Sequence, residues 1–144
     1  MENDRTATLL ARLVKTSKQG RDIFNEAAAK SEDGLRFLFH AISEQHQQFL
    51  EDLTPLSTSA ALEQDPDSSR QWAPTVGVRR LSAEAAINEH TLVSRCAEAE
   101  NEAVMEYQAA IDTTNLPEST LEMVQRHLRS MKAARNYLRG LGAF

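Results

Sequence analysis

Between Ser82 and Asp112 the chain contains neither proline nor glycine, and one face of the stretch repeats in alternating steps of three and four: Val93, Cys96, Glu100, Ala103, Tyr107, Ala110. That spacing belongs to a helix with one buried face. A rod of this length, roughly 45 Å at ~1.5 Å per residue, is too long to cover its stripe alone. Other helices must be arranged around it, and they must accommodate Glu100, a carboxylate in the middle of the apolar seam.

The remaining segments supply those helices. The spacing predicts a first helix over residues 4–30, capped by Asn3 or Asp4, with the seam Leu10, Val14, Ser17, Phe24, Ala28. Gly20 weakens its middle by about 1 kcal/mol relative to alanine, which suits the close approach of a neighbouring helix. After the turn Ser31-Glu32-Asp33-Gly34, with Asp33 as the expected cap, a second helix spans 34–54 on Leu35, Phe39, Ile42, His46, Phe49, Leu53. Pro55 ends or bends it. Residues 56–80 are rich in Ser, Thr, Asp and Pro and read as a crossover, with Trp72, Val76 and Val78 expected to cover an apolar edge. The third helix is 82–112. The turn Asn115-Leu116-Pro117-Glu118 opens a fourth over 117–139, with the seam Leu121, Val124, Leu128, Met131, Arg135, Leu138 and with Gly140 and Gly142 as its stop.

Short turns make helices one and two, and helices three and four, antiparallel neighbours. Charge agrees with this pairing. Residues 82–112 hold seven acids against one Arg, and 117–139 hold five Lys/Arg against two acids, so each hairpin joins an acidic helix to a basic one. Counting outward from the first turn sets Phe24 near Phe39 and Ser17 near His46. The expected fold is therefore all-α: one domain over 1–144, a four-helix bundle of two antiparallel hairpins joined by a long crossover, which is the ferritin-like version of that bundle.

The residues Gly20-Arg21-Asp22-Ile23-Phe24-Asn25-Glu26-Ala27-Ala28, Gln47-Gln48-Phe49, Cys96-Ala97-Glu98-Ala99-Glu100 and Tyr107-Gln108-Ala109-Ala110, with the closing Leu116-Pro117 helix, resemble a family of small bacterial four-helix-bundle proteins of unknown function. That family is placed in the ferritin-like superfamily. The resemblance covers Leu9 to Leu141 and implies the fold; it implies no activity. The superfamily's di-iron chemistry needs Glu-x-x-His on two helices. Three residues before His40, His46, His90 and His127 stand Phe37, Ser43, Ile87 and Val124, so the motif is absent.

A buried carboxylate has to find a partner. Counting back through the second turn brings Arg135 within one turn of Glu100, and a Glu100–Arg135 bridge is the expected partnership. Ser17 and His46 are expected to share a hydrogen bond. The sharper alternative joins Glu100, His46 and Glu26 in a degenerate metal site for iron or manganese. Cys96 reads as a small buried hydrophobe. The series Glu98, Glu102, Glu106 reads as a solvated face, and Arg126, Arg129, Lys132 and Arg139 as its basic mate.

Composition removes several function classes. A net charge of −5 repels phosphate backbones and argues against nucleic acid as a partner. No apolar run approaches the ~20 residues that span a bilayer. The charged opening Met1-Glu2-Asn3-Asp4-Arg5 is not a signal peptide, and a single cysteine is compatible with the cytoplasm. No nucleophile elbow, phosphate loop or His-Glu-x-x-His is present. The expected protein is a non-enzymatic cytoplasmic bundle without a cofactor, acting through a protein partner or by self-association as a homo-oligomer. The alternative is a metal-binding or redox protein with an atypical centre.

Overall fold

The computed structural model describes residues 2–57, 89–113 and 115–142. Among them stand four long helices: α1 (Glu2–Ala29), α2 (Asp33–Leu53), α3 (Glu89–Thr113) and α4 (Glu118–Gly142). A single 3-10 turn over Thr54–Leu56 follows α2 and contains Pro55, whose ring cannot continue an α-helix. The expected crossover beyond Ser57, with Trp72, Val76 and Val78, and the Ser82 start of the third helix lie outside the described residues.

Three helix boundaries correct the sequence reading. α1 begins at Glu2, so Asn3 and Asp4, the expected caps, lie inside the helix. Asp33 is not the cap of α2 but its first residue; Glu32 precedes it with extended backbone and no capping side-chain bond. An acid in the first turn still complements the helix dipole. Gly140 does not stop α4, which runs on to Gly142. No described glycine has positive φ, so the left-handed turn that makes glycine a helix stop is not formed there.

Residue pairs give the helix directions. The Phe24 and Phe39 rings lie 5.9 Å apart. Ser43 Oγ donates to the Arg21 carbonyl oxygen at 2.9 Å, and Arg21 Nη1 donates to Gln47 Oε1 at 2.8 Å. As the number falls along α1 it rises along α2, so the two are antiparallel. Asp52 of α2 meets His127 of α4, while Leu38 and Tyr137 line one groove, which makes that pair antiparallel too.

Two apolar clusters fill the interior. One holds Leu10, Leu13, Phe49, Leu53, Tyr107 and Met131; the other holds Ile23, Phe24, Phe39, Val93, Cys96 and Leu138. The start of α1 thus packs with the end of α3 and the start of α4. It follows that α1 and α3 are antiparallel, and that α2 and α3 run in the same direction. Every seam residue read on α3 is buried: Val93, Cys96, Glu100, Ala103, Tyr107 and Ala110.

Candidate functional site

His46 of α2 packs against Gly20 of α1. A Cβ built on that glycine would stand 2.8 Å from both Cε1 and Nδ1 of the ring. Real side chains do not approach so closely, so the absence of a Cβ at position 20 is what makes room for the imidazole. Phe24 stacks on the ring at 6.0 Å and Phe49 meets it edge-on at 5.5 Å. The aromatic walls leave one polar exit, toward α3.

At that exit His46 Nε2 stands 2.7 Å from Glu100 Oε1. The two side chains are 0% and 1% exposed, so no water screens the contact. A hydrogen must lie between atoms this close, so the two side chains share a buried hydrogen bond. His46 Nδ1 and Glu100 Oε2 have no hydrogen-bond partner. Each unmatched buried polar atom costs about 1–3 kcal/mol, so the dyad is held in place by the packing around it.

The expected Glu100–Arg135 bridge is not formed. Arg135 is half-buried at the α3–α4 rim, where its Nη1 donates to Asn101 Oδ1 at 3.0 Å and its Nε to Asn136 Oδ1 at 3.2 Å. Asn101 lies one step, about 100°, round α3 from Glu100, and that rotation turns the carboxylate inward and the amide toward α4. The expected Ser17–His46 bond is also absent. Ser17 Oγ lies 2.7 Å from Tyr107 Oη, across from α1 to α3. The register estimate was one turn out, since Gly20, not Ser17, faces the imidazole.

Glu26 is half-buried and does not complete a set of ligands with Glu100 and His46. Among the described residues no three His, Cys, Asp or Glu side chains are grouped to hold a metal ion.

A second buried histidine was missed. His127 Nε2 is 3.0 Å from Asp52 Oδ2, and its ring stacks on Phe49 at 4.2 Å. Burial pulls the His127 pKa below the usual value, outweighing the Asp52 hydrogen bond and charge that raise it. For Asp52 burial pushes upward, but the bonds from His127 and Gln48 and the charges of His127 and Arg126 hold the carboxyl below its usual value. We therefore treat His127 as the neutral donor near neutral pH. The signal was present in the sequence: position 127 lies between Val124 and Met131 on the α4 seam, at i+3 from the first.

Two further interior groups, Cys96 and Tyr107, are held in their neutral forms. Burial, with Glu100 nearby, pushes the Cys96 thiol up to about 12, far from the range of a reactive thiolate. Burial pushes the Tyr107 phenol up, partly offset by Ser17 and reinforced by Glu100 and Asp52. On the outer face of α3, partial burial and then the neighbouring Glu98 and Glu106 raise the Glu102 pKa.

The surface differs in character between α2 and α4. Leu38, Ala41, Ile42, Ala133, Ala134 and Tyr137 line an open apolar groove of about 380 Å³ there. Phe37, which precedes Leu38 on α2, is 80% exposed, and Tyr137 in the groove 59%.

A family model described as "Domain of unknown function (DUF2383)" matches residues 5–113. No curated protein matches the chain. No solved structure matches it either.

Proposed function

The chain belongs to that family of unknown function, which brings no assigned activity, and we propose that it is a non-catalytic helical bundle that works by contact with another protein surface. The apolar groove between α2 and α4 carries this reading. The helices that form it carry exposed aromatics, Phe37 on α2 and Tyr137 on α4, which interfaces favour and ordinary surfaces avoid. The polar dyad, by contrast, is sealed from solvent, which leaves no route for a substrate to reach it.

The reading includes a ferritin-like arrangement of the four helices. Its support is the parallel course of α2 and α3 with the long segment 58–88 between them. It also includes a cytoplasmic setting, supported by a lone free thiol. No helix among the described residues is long and apolar enough to cross a membrane.

Site-specific photo-crosslinking in the cells of origin tests the contact. A crosslinker replacing Phe37 should capture a discrete product, whereas one replacing Lys18 on the exposed face of α1 should not. Equal, diffuse labelling from both positions would defeat the proposal. A second reading, a metal-binding protein with an atypical centre for iron or manganese, draws on the unmatched Glu100 Oε2 and His46 Nδ1. Stoichiometric iron or manganese in protein purified without chelators, lost on Glu100→Ala, would put that reading first.

A further inference from the structure

The groove is flanked by helices of opposite charge. Residues 37–53 of α2 contain Glu44, Glu51 and Asp52 and no Lys or Arg; residues 123–142 of α4 contain Arg126, Arg129, Lys132, Arg135 and Arg139 and no acid. Glu44, Glu51, Arg126 and Arg129 are exposed. On a helical wheel the solvent-facing stripe of α2 reads Phe37, Ala41, Glu44, Gln48, and that of α4 reads Arg126, Arg129, Ala133, Tyr137. Each stripe combines an exposed aromatic, an alanine and charge of a single sign.

From this we infer that the groove is the interface of a symmetric dimer, its occupant being a second copy of this chain related by a twofold axis parallel to the helices. The inference rests on the protein-contact reading and names its partner. Two orientations would bring the faces together. An axis lying across the helices sets α2 on α2 and α4 on α4, opposing acid to acid and base to base. An axis along the helices sets α2 of one copy on α4 of the other, and opposite charges meet twice.

Only the second orientation exploits the charges. It also preserves height along the bundle. Within one chain Leu38 shares the groove with Tyr137, and Gln45 shares it with Ser130. The axis along the helices carries those levels across the interface. Phe37 then falls at the level of Tyr137 of the second copy, and Glu44 within a turn of Arg129 of the second copy. Ala41 and Ala133 between them let the helix backbones approach. Gln45 Oε1, a buried acceptor without a partner, lies at the level of the basic stripe.

Sedimentation equilibrium of the full chain over a concentration series tests the inference. The wild type should show reversible dimerisation, and Phe37→Ser should weaken it by about 30-fold or more. Glu44→Arg and Arg129→Glu should each weaken self-association, because every like-charge contact occurs twice in the dimer. Their equimolar mixture should recover wild-type affinity, since both contacts are then complementary. Helical circular dichroism checks that these exposed substitutions leave the fold intact. A dimer in which mixing restores nothing overturns the proposed axis. A wild type monomeric at every concentration overturns the second copy as occupant. If Phe37 still crosslinks to a different protein, the broader contact reading survives; if it crosslinks to nothing, both fall.

Discussion

Gly20 and His46 form a matched pair: the glycine's missing side chain is the space the imidazole occupies, with a hypothetical Cβ at 2.8 Å from the ring. Glycine is a poor helix former, by about 1 kcal/mol against alanine. Propensity alone therefore predicts that Gly20→Ala stabilises α1. The geometry predicts the opposite, a loss of about 1–3 kcal/mol from overpacking. Urea unfolding of the single variant decides between them. In a His46→Ala background the same substitution should become neutral or stabilising, and a penalty that persisted there would show that the ring is not what the glycine accommodates.

The His46–Glu100 dyad predicts non-additive mutations. Removing one partner leaves the other buried and unmatched, a loss of about 3–5 kcal/mol for Glu100→Ala or His46→Ala. The double replacement His46→Leu/Glu100→Leu restores an apolar interior and should cost less than the sum of His46→Leu and Glu100→Leu made singly. Denaturant midpoints for the cycle measure this, and strict additivity would mean that the two side chains act independently.

His127 predicts loss of stability in mild acid. Its pKa is lower in the folded chain than the ordinary 6.5, because burial disfavours the imidazolium. As pH falls through about 6.5 the unfolded chain binds the proton first, so its free energy drops relative to the native state. Stability is fully present above that value and declines below it. Asp52, also lowered, contributes above its ordinary 3.8 and is lost as pH falls further. Unfolding midpoints between about pH 5 and 8 should slope downward toward acid in the wild type, and less steeply in His127→Gln. Equal slopes would remove His127 from the account.

Cys96 is completely buried, with its thiol pushed up to about 12. A thiol reagent should therefore modify it only through opening of the bundle. The labelling rate should rise in step with the unfolded population as urea is added. Rapid labelling of the native protein in water would contradict the burial.

The seams were legible because burial of a helix leaves a three-and-four period. Five of the six positions read on α2 are buried, and Leu35 is half-buried near its exposed start. The directions of the polar side chains were less legible. Glu100 and Asn101 are adjacent in sequence, yet one points across the interior and the other toward Arg135. Counting residues from a turn locates a helical level to within about one turn, whereas a hydrogen bond is decided by rotation about the axis. That is why Arg135 was matched to the wrong neighbour and Ser17 to the wrong helix. His127 was overlooked because Leu128 beside it already satisfied the apolar period.

Among the described residues, side-chain bonds cross the core from the first hairpin to the second: Ser17 to Tyr107, His46 to Glu100, and Asp52 to His127. Two copies of the first hairpin would offer His46 no Glu100 to meet, and two copies of the second would offer Glu100 no His46. Oily surfaces alone would tolerate such mistakes. This pattern of unlike groups makes the halves recognise each other, and it sets their mutual slide and rotation independently of whatever tether connects them.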